Sequence, residues 1–246
     1  MLKRTFVHLP GVGLRTEAQF WRRGLTTWED FLTVGRVAGL GPARLAWFKS
    51  LLQESLRHLH RPEYFAPRLP SGEHWRLFHH FRSRAAYLDI ETTGAGWPEQ
   101  TVTVVGLYDG HTMRQFVLGQ NLRDFPEALA EVDVLVTFNG AQFDLPVLRA
   151  YFPGLPFPPL HLDLRFILAR LGYRGGLKRI EPLFGITRAP EVAGFNGFDA
   201  VLLWERFQRG DLAALELLLK YNQEDVLNLE ILMEQAFELG KTELLR

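Results

Sequence analysis

AAYLDIETTG, residues 85–94, places Leu88 and Ile90 on one side of an extended chain and Asp89 and Glu91 on the other. Two acids on one face of an otherwise apolar strand repel each other. They are tolerated where something positive sits between them, and a divalent cation is the simplest candidate. The other reading is the exposed polar face of an edge strand. The apolar opposite face weakens it, as does the Thr92-Thr93-Gly94 exit, which opens space beside the acids.

Working outward, TVTVVGLYDG (101–110) and HTMRQFVLG (111–119) alternate about Asp109–Gly110, a hairpin signal. DFPEALAEV (124–132) reads as helix, VDVLVTF (132–138) as a buried strand stopped by Asn139–Gly140, and FDLPVLRAYF (143–152) as helix. A Pro-rich connection leads to HLDL (161–164), a last strand, and the remainder is helical through the long run 211–240. Three meandering strands, then strand–helix units, then a helical tail make a mixed α/β order. Upstream of residue 85 the pattern is helical: EAQFWRRG (17–24), TTWEDFLTVGRV (26–37) and ARLAWFKSLLQESLRHL (43–59) carry apolar residues at helical spacing. Thr26 or Thr27 caps the second of these, with Glu29 and Asp30 in its first turn. Residues 61–73 are rich in breakers and read as a linker or an extended crossing. The division is therefore a small helical region, 1–80, and an α/β domain, 85–240.

The chain has 246 residues and no cysteine, so disulfides, thiolate metal sites and cysteine nucleophiles are excluded. A metal must be held by oxygen or imidazole, and abundant carboxylates favour hard ions such as magnesium or manganese. No apolar run reaches membrane-spanning length, and MLKRTFVHLPGVG lacks the apolar core of a signal peptide, so a cytoplasmic protein without membrane contact is expected. The 28 basic and 28 acidic residues cancel, yet residues 1–85 hold 14 Lys/Arg against 6 Asp/Glu. A basic head on an acidic body suits a protein that grips phosphate with one part and binds metal with the other, although the asymmetry also serves docking of the two parts.

Further acids fall at telling positions. Asp144, in FNGAQFDLP (138–146), lies just beyond a strand end, where α/β sites form; it is equally placed to cap the helix that follows. Tyr221 and Asp225 are four apart in KYNQEDVLNLEIL (220–232), so a helix stacks them on one face, and neighbouring leucines bury that face. A buried aspartate wants a partner. Glu224 is assigned to the helix surface.

Asp-x-Glu, then Phe-Asp after a strand, then Tyr-x-x-x-Asp on a late helix, resembles the DEDD superfamily of 3′–5′ exonucleases, in its tyrosine-type subgroup. YLDIETTG, LVTFNGAQFDLPVL, HLDLRFILARLG, GLKRIEPLFGITR and YNQEDVLNLEIL resemble the YprB-like branch of ribonuclease H-like domains, across roughly residues 85–235. The resemblance implies a ribonuclease H-like fold, a mixed five-stranded sheet flanked by helices. It implies that Asp89, Glu91, Asp144 and Asp225 hold two divalent cations, Mg2+ or Mn2+, ~4 Å apart. Tyr221 then positions or deprotonates the attacking water. The implied activity is hydrolysis of phosphodiester bonds, as a 3′–5′ exonuclease on single-stranded DNA or RNA ends, by a monomer. A structure-specific or hybrid-cleaving endonuclease and a non-catalytic nucleic-acid-binding module are the alternatives. Thr92, Asn139 and Lys178 are candidate substrate contacts. Asn139 serves equally as a turn residue, and Lys178, with Arg179, as a solvated helix face. Asp163 is a helix cap or a supporting group, and His161, without a second histidine at ligand spacing, is structural.

In the head, LPGVG (9–13) and GLGP (39–42) resemble the hairpins of helix-hairpin-helix modules, which turn backbone N–H groups at a helix start toward phosphate. Gly11, Gly13, Gly39, Gly41, Arg44 and Lys49 are the implied nucleic-acid contacts. GLGP has helices on both sides; LPGVG has none before it. The aromatic residues of the head, Phe20, Trp21, Trp28, Phe31 and Trp47, fall at helical spacing and read as core.

Overall fold

A computed structural model describes residues 1–94 and 101–244. The chain divides into two compact units, Met1–Phe81 and Arg82–Arg246.

The first unit is helical: α1 (Leu14–Arg22), α2 (Trp28–Thr33), α3 (Pro42–Arg57) and the short α4 (Pro62–Phe65) and α5 (Phe78–Phe81). Helix α2 starts at a reciprocal cap, in which the Thr27 hydroxyl accepts from the Asp30 amide and the Asp30 carboxylate accepts from the Thr27 amide. Phe6, Phe20, Trp28, Phe31, Phe48 and Phe65 are fully buried and meet ring to ring. The aromatic spacing thus marks core, with Trp47 as an exposed exception. Residues 61–73 are not a linker. They form α4 and 3-10 turns that bury Tyr64, Phe65 and Leu69, because large apolar side chains outweigh the breakers and Pro62 starts a helical turn at its first position. Arg76 is wholly buried between Glu17 (2.7 Å) and Glu73 (2.6 Å).

The second unit is a five-stranded mixed sheet in the order β3-β2-β1-β4-β5, flanked by helices. Its strands are β1 (Ala85–Thr92), β2 (Val102–Tyr108), β3 (Met113–Val117), β4 (Val134–Thr137) and β5 (Leu160–Asp163). Strand β2 runs antiparallel to both β1 and β3, while β4 pairs parallel with β1 and β5 pairs parallel with β4. The hairpin turns at Asp109–Gly110, where Asp109 accepts from the amides of His111 and Thr112 and Gly110 takes φ +90°. Helices α6 (Phe125–Ala130) and α7 (Asp144–Tyr151) pack with Ala86, Leu88 and Ile90 in a core on one face. On the other face, α10 (Gly197–Gln208) and α11 (Leu212–Leu244) pack on Val104 and Val117; α8 (Leu164–Arg170) and α9 (Leu177–Ile180) precede them. With helices on both faces, β2 is buried at nearly every residue, so the alternation read in it does not translate into one wet face. No helix among the described residues is long and apolar enough to cross a membrane.

Candidate metal and active site

The odd-numbered side chains of β1 turn toward α11, which sets Asp89 and Glu91 against that helix while Leu88 and Ile90 enter the opposite core. Gly106 lies opposite Asp89 on β2, and its missing side chain lets α11 approach: a Cβ there would stand 2.2 Å from Asn222 Oδ1 and 2.7 Å from Val226 Cγ2. Close seating brings Asp225 to the pair on β1. Oxygens of Asp89, Glu91 and Asp225 all lie within 4.8 Å of one another.

Asp144 arrives from the parallel side of the sheet. Strand β4 pairs with β1 only through Tyr87, so the Ile90 amide has no strand beside it there, and Asp144 Oδ1 accepts from it at 3.2 Å. Asp144 is the first residue of α7 rather than its cap, and it stands beside the three-acid group without belonging to it. The loop before it is held by Asp163, whose carboxylate accepts from the amides of Asn139 (2.8 Å) and Ala141 (3.1 Å). Asp163 also caps α8 through the Arg165 amide, so both roles open to it in sequence are filled. Asn139 takes the left-handed φ of 68°, and its side-chain oxygen accepts from Arg165. Gly140 packs on Thr137, leaving no room for a Cβ.

Four acids in a small volume shape its electrostatics. Burial, then Asp225, Glu91 and Asp144, push the Asp89 carboxyl well above its ordinary range. Burial and Asp225 do the same to Glu91. Asp144 is pushed up to about 7, chiefly by burial, and Asp225 is raised by burial against the pull of Arg188 and Lys178. Glu91 Oε1 is buried with no hydrogen-bond partner among the described residues. Converging carboxyl groups and a buried carboxyl oxygen without a partner among the described residues make a donor set that fits a hard divalent cation.

Tyr221 is buried one turn before Asp225 on α11. Burial and the surrounding acids drive its phenol far above the ordinary range, so it stays protonated. Lys178 donates to the Tyr221 hydroxyl and to the Phe195 carbonyl, with Nζ 4.0 Å from the centre of the Tyr221 ring. Lys178 is therefore engaged with Tyr221 rather than standing on a solvated helix face. Thr92 is buried where the β1–β2 register shifts, and its hydroxyl accepts from the Gly94 amide.

Sequence reasoning passed over three residues. Asn222 donates to Asp89, at 3.3 Å to its carbonyl and 3.4 Å to its carboxylate, and accepts from Gln115 at 3.2 Å. Its position next to Tyr221 hid it from a four-residue spacing rule, whereas the lone glycine in β2 was a signal of close approach. Arg188 bridges Glu181 and Asp225, and its isolated place in a loop gave no periodic signal.

In the first unit, Gly11 and Gly39 take positive φ, and Gly13 and Gly41 start α1 and α3 without a side-chain cap. Arg44 lies over Phe48 (5.1 Å), and its Nη2 is 3.2 Å from where a Cβ on Gly11 would be. Lys49 donates to the Val34 carbonyl at 2.6 Å. Lys49, Arg36 and Gly41 line a hollow of about 610 Å³.

A family B DNA polymerase from the hyperthermophilic archaeon Pyrobaculum calidifontis is similar in structure, with TM-score 0.51 and 20% identity over 61% of this chain and 24% of the polymerase. This chain thus spans about a quarter of the polymerase's length. NrnC of Brucella melitensis, solved with bound Mg2+, is similar with TM-score 0.45 and 24% identity, over 68% of this chain and 80% of NrnC. No curated protein matches the chain. The sequence pattern of the RNase H superfamily matches residues 86–237, more than half of the chain and nearly all of the sheet-bearing unit, and the chain belongs to that superfamily.

Proposed function

We propose that this chain is a metal-dependent nuclease, a 3′–5′ exonuclease of the tyrosine-type DEDD, YprB-like kind, acting on single-stranded DNA or RNA ends. The observation that carries the reading is the convergence of Asp89, Glu91 and Asp225 within 4.8 Å, with Asp144 bonded to the same strand and Tyr221 one helical turn from Asp225. Asp89, Glu91 and Asp225 would hold two divalent cations, Mg2+ or Mn2+, with Asp144 completing the set. Such ions, when bound, acidify water and offset charge at phosphorus.

The chain's own groups divide the remaining work. Lys178 donates to the Tyr221 oxygen, which leaves the phenol proton to be given away. Tyr221 therefore orients a water or a phosphate oxygen and does not act as a base. Asp163 holds the Asn139–Ala141 loop, and with it the approach to Asp144, in one conformation. Thr92, next to Glu91 on β1, and Asn139, in the loop before Asp144, are the substrate contacts in this reading. Gly11, Gly13, Gly39, Gly41, Arg44 and Lys49 supply weak, sequence-independent contact to the phosphate chain.

The test is digestion of matched single- and double-stranded DNA and RNA, labelled at either end, with Mn2+ or with chelator. A ladder of shortening products from 5′-labelled single strands, abolished by chelator, is expected; one internal cut would instead assign an endonuclease. Asp89→Ala should remove cleavage while leaving the protein folded, and Tyr221→Phe should slow turnover more than it weakens binding. Full activity in Asp89→Ala would refute the site.

A further inference from the structure

Arg188 lies in the segment between α9 and α10, with its side chain only 5% exposed. Its Nε and Nη2 donate to the two oxygens of Glu181, at 2.7 and 2.5 Å, and Nη2 donates also to Asp225 Oδ1. Glu181 is fixed from its other side by Asn228, whose amide donates to Oε1 at 2.9 Å from α11, three residues past Asp225. Arg188 Nη1 is buried and has no partner among the described residues. One guanidinium is thus divided between a carboxylate that belongs to the acid cluster and one that stands outside it.

We propose that Arg188 is an internal counter-ion that competes with a divalent cation for Asp225, and that Glu181 sets the strength of that competition. The inference rests on the reading that the acid cluster binds metal. Asp225 belongs to the group whose oxygens lie within 4.8 Å, and one of its oxygens is bonded to Arg188. A guanidinium bonded to that carboxylate neutralises charge a metal ion would otherwise meet, and the exchange matters because water screens little at this depth. Glu181 draws the same guanidinium away from Asp225 by taking two of its N–H groups. Removing the Glu181 charge concentrates Arg188 on Asp225, whereas removing Arg188 releases Asp225. Arg188 is a positioning residue: it acts through Asp225 and sets how readily the acids accept a cation.

Two substitutions should move metal affinity in opposite directions. Arg188→Met keeps the aliphatic stem and removes the charge, and it should bind Mn2+ about tenfold more tightly, equivalent to ~1.4 kcal/mol. Glu181→Gln keeps an acceptor for Asn228 and should bind Mn2+ more weakly than the unaltered protein. Affinities are read by calorimetry and by electron paramagnetic resonance of free Mn2+, with melting temperature measured with and without the ion. Arg188→Met should also melt lower without Mn2+ and gain more from its addition. If both residues only shaped the pocket, both substitutions would weaken binding. Equal or weaker binding by Arg188→Met overturns the proposal. If that variant does not fold, Arg188→Gln, which also removes the charge from Asp225, replaces it, and equal or weaker binding than the unaltered protein again overturns the proposal. If the unaltered protein binds no Mn2+, the nuclease reading falls together with this one. If it binds and the variants fail to move apart, only the counter-ion role falls.

Discussion

Replacing Gly106 with alanine tests how closely α11 must sit on the strands that carry the acids. The added methyl would lie 2.2 Å from Asn222 Oδ1 and 2.7 Å from Val226 Cγ2, both on α11 and both shorter than carbon contacts tolerate. Asn222 has an escape by rotation, but only by giving up its bonds to Asp89 and from Gln115, worth roughly 1 kcal/mol each. Val226 has none, because a β-branched side chain on a helix keeps essentially one rotamer, so the helix itself must shift. Overpacking of this kind costs about 1–3 kcal/mol, and with the lost hydrogen bonds the expected destabilisation is about 3–5 kcal/mol. The same shift carries Asp225 away from Asp89 and Glu91, and a misplacement of ~1 Å at reacting groups lowers rates by about 100-fold. Urea unfolding gives the first quantity; single-turnover cleavage of a labelled oligonucleotide in Mn2+ gives the second. Gly106→Ala/Val226→Ala should recover part of both. A Gly106→Ala protein as stable and as active as the parent would refute the idea that helix seating builds the site.

Burial lowers His8 from the ordinary 6.5 to about 3, so the folded head holds it neutral. Its folded value lies below the unfolded one, so its contribution is full above pH 6.5 and fades as pH falls toward 3; at pH 5 the loss is about 2 kcal/mol. Urea unfolding followed by tryptophan fluorescence should show this slope, and His8→Phe should flatten it; an unchanged slope in the variant assigns the effect elsewhere. Asp163→Ala leaves the amides of Asn139 and Ala141 without their acceptor and uncaps α8, at a cost of about 2–3 kcal/mol, and should slow cleavage by loosening the approach to Asp144. Cleavage at the parent rate in Asp163→Ala would show that the loop needs no such clamp.

Legibility followed periodicity. Asp89 and Glu91 were visible because a strand repeats every two residues, and Tyr221 and Asp225 because a helix returns after about four. The strands and the long last helix were readable for the same reason; the start of α2 was readable instead from Thr26 or Thr27 standing before an acidic first turn. What escaped depends on chain segments meeting in space. Asn222 sits a third of a turn from Tyr221 and reaches Asp89 only because Gly106 makes room. Arg188 and Glu181 are seven apart across a left-handed turn at Gly185, so no repeat links them. Asp144 looked like a cap because its role depends on β4 ending before Ile90, a matter of strand lengths rather than of local sequence. Residues 61–73 misled by composition: prolines suggested a bridge, while Tyr64, Phe65 and Leu69 were filling the head's interior.

The wholly buried Arg76 reaches Glu17 across 59 residues of chain. Neither partner tolerates solitude in that interior, since breaking a buried pair costs about 3–5 kcal/mol. The head is therefore indivisible. A fragment trimmed near residue 60, where composition invites the cut, would strand the acid at position 17, and any isolated version intended for nucleic-acid titrations must run on to Phe81. During synthesis the same pairing cannot close until the segment that bears Arg76 has emerged, so the head completes itself late.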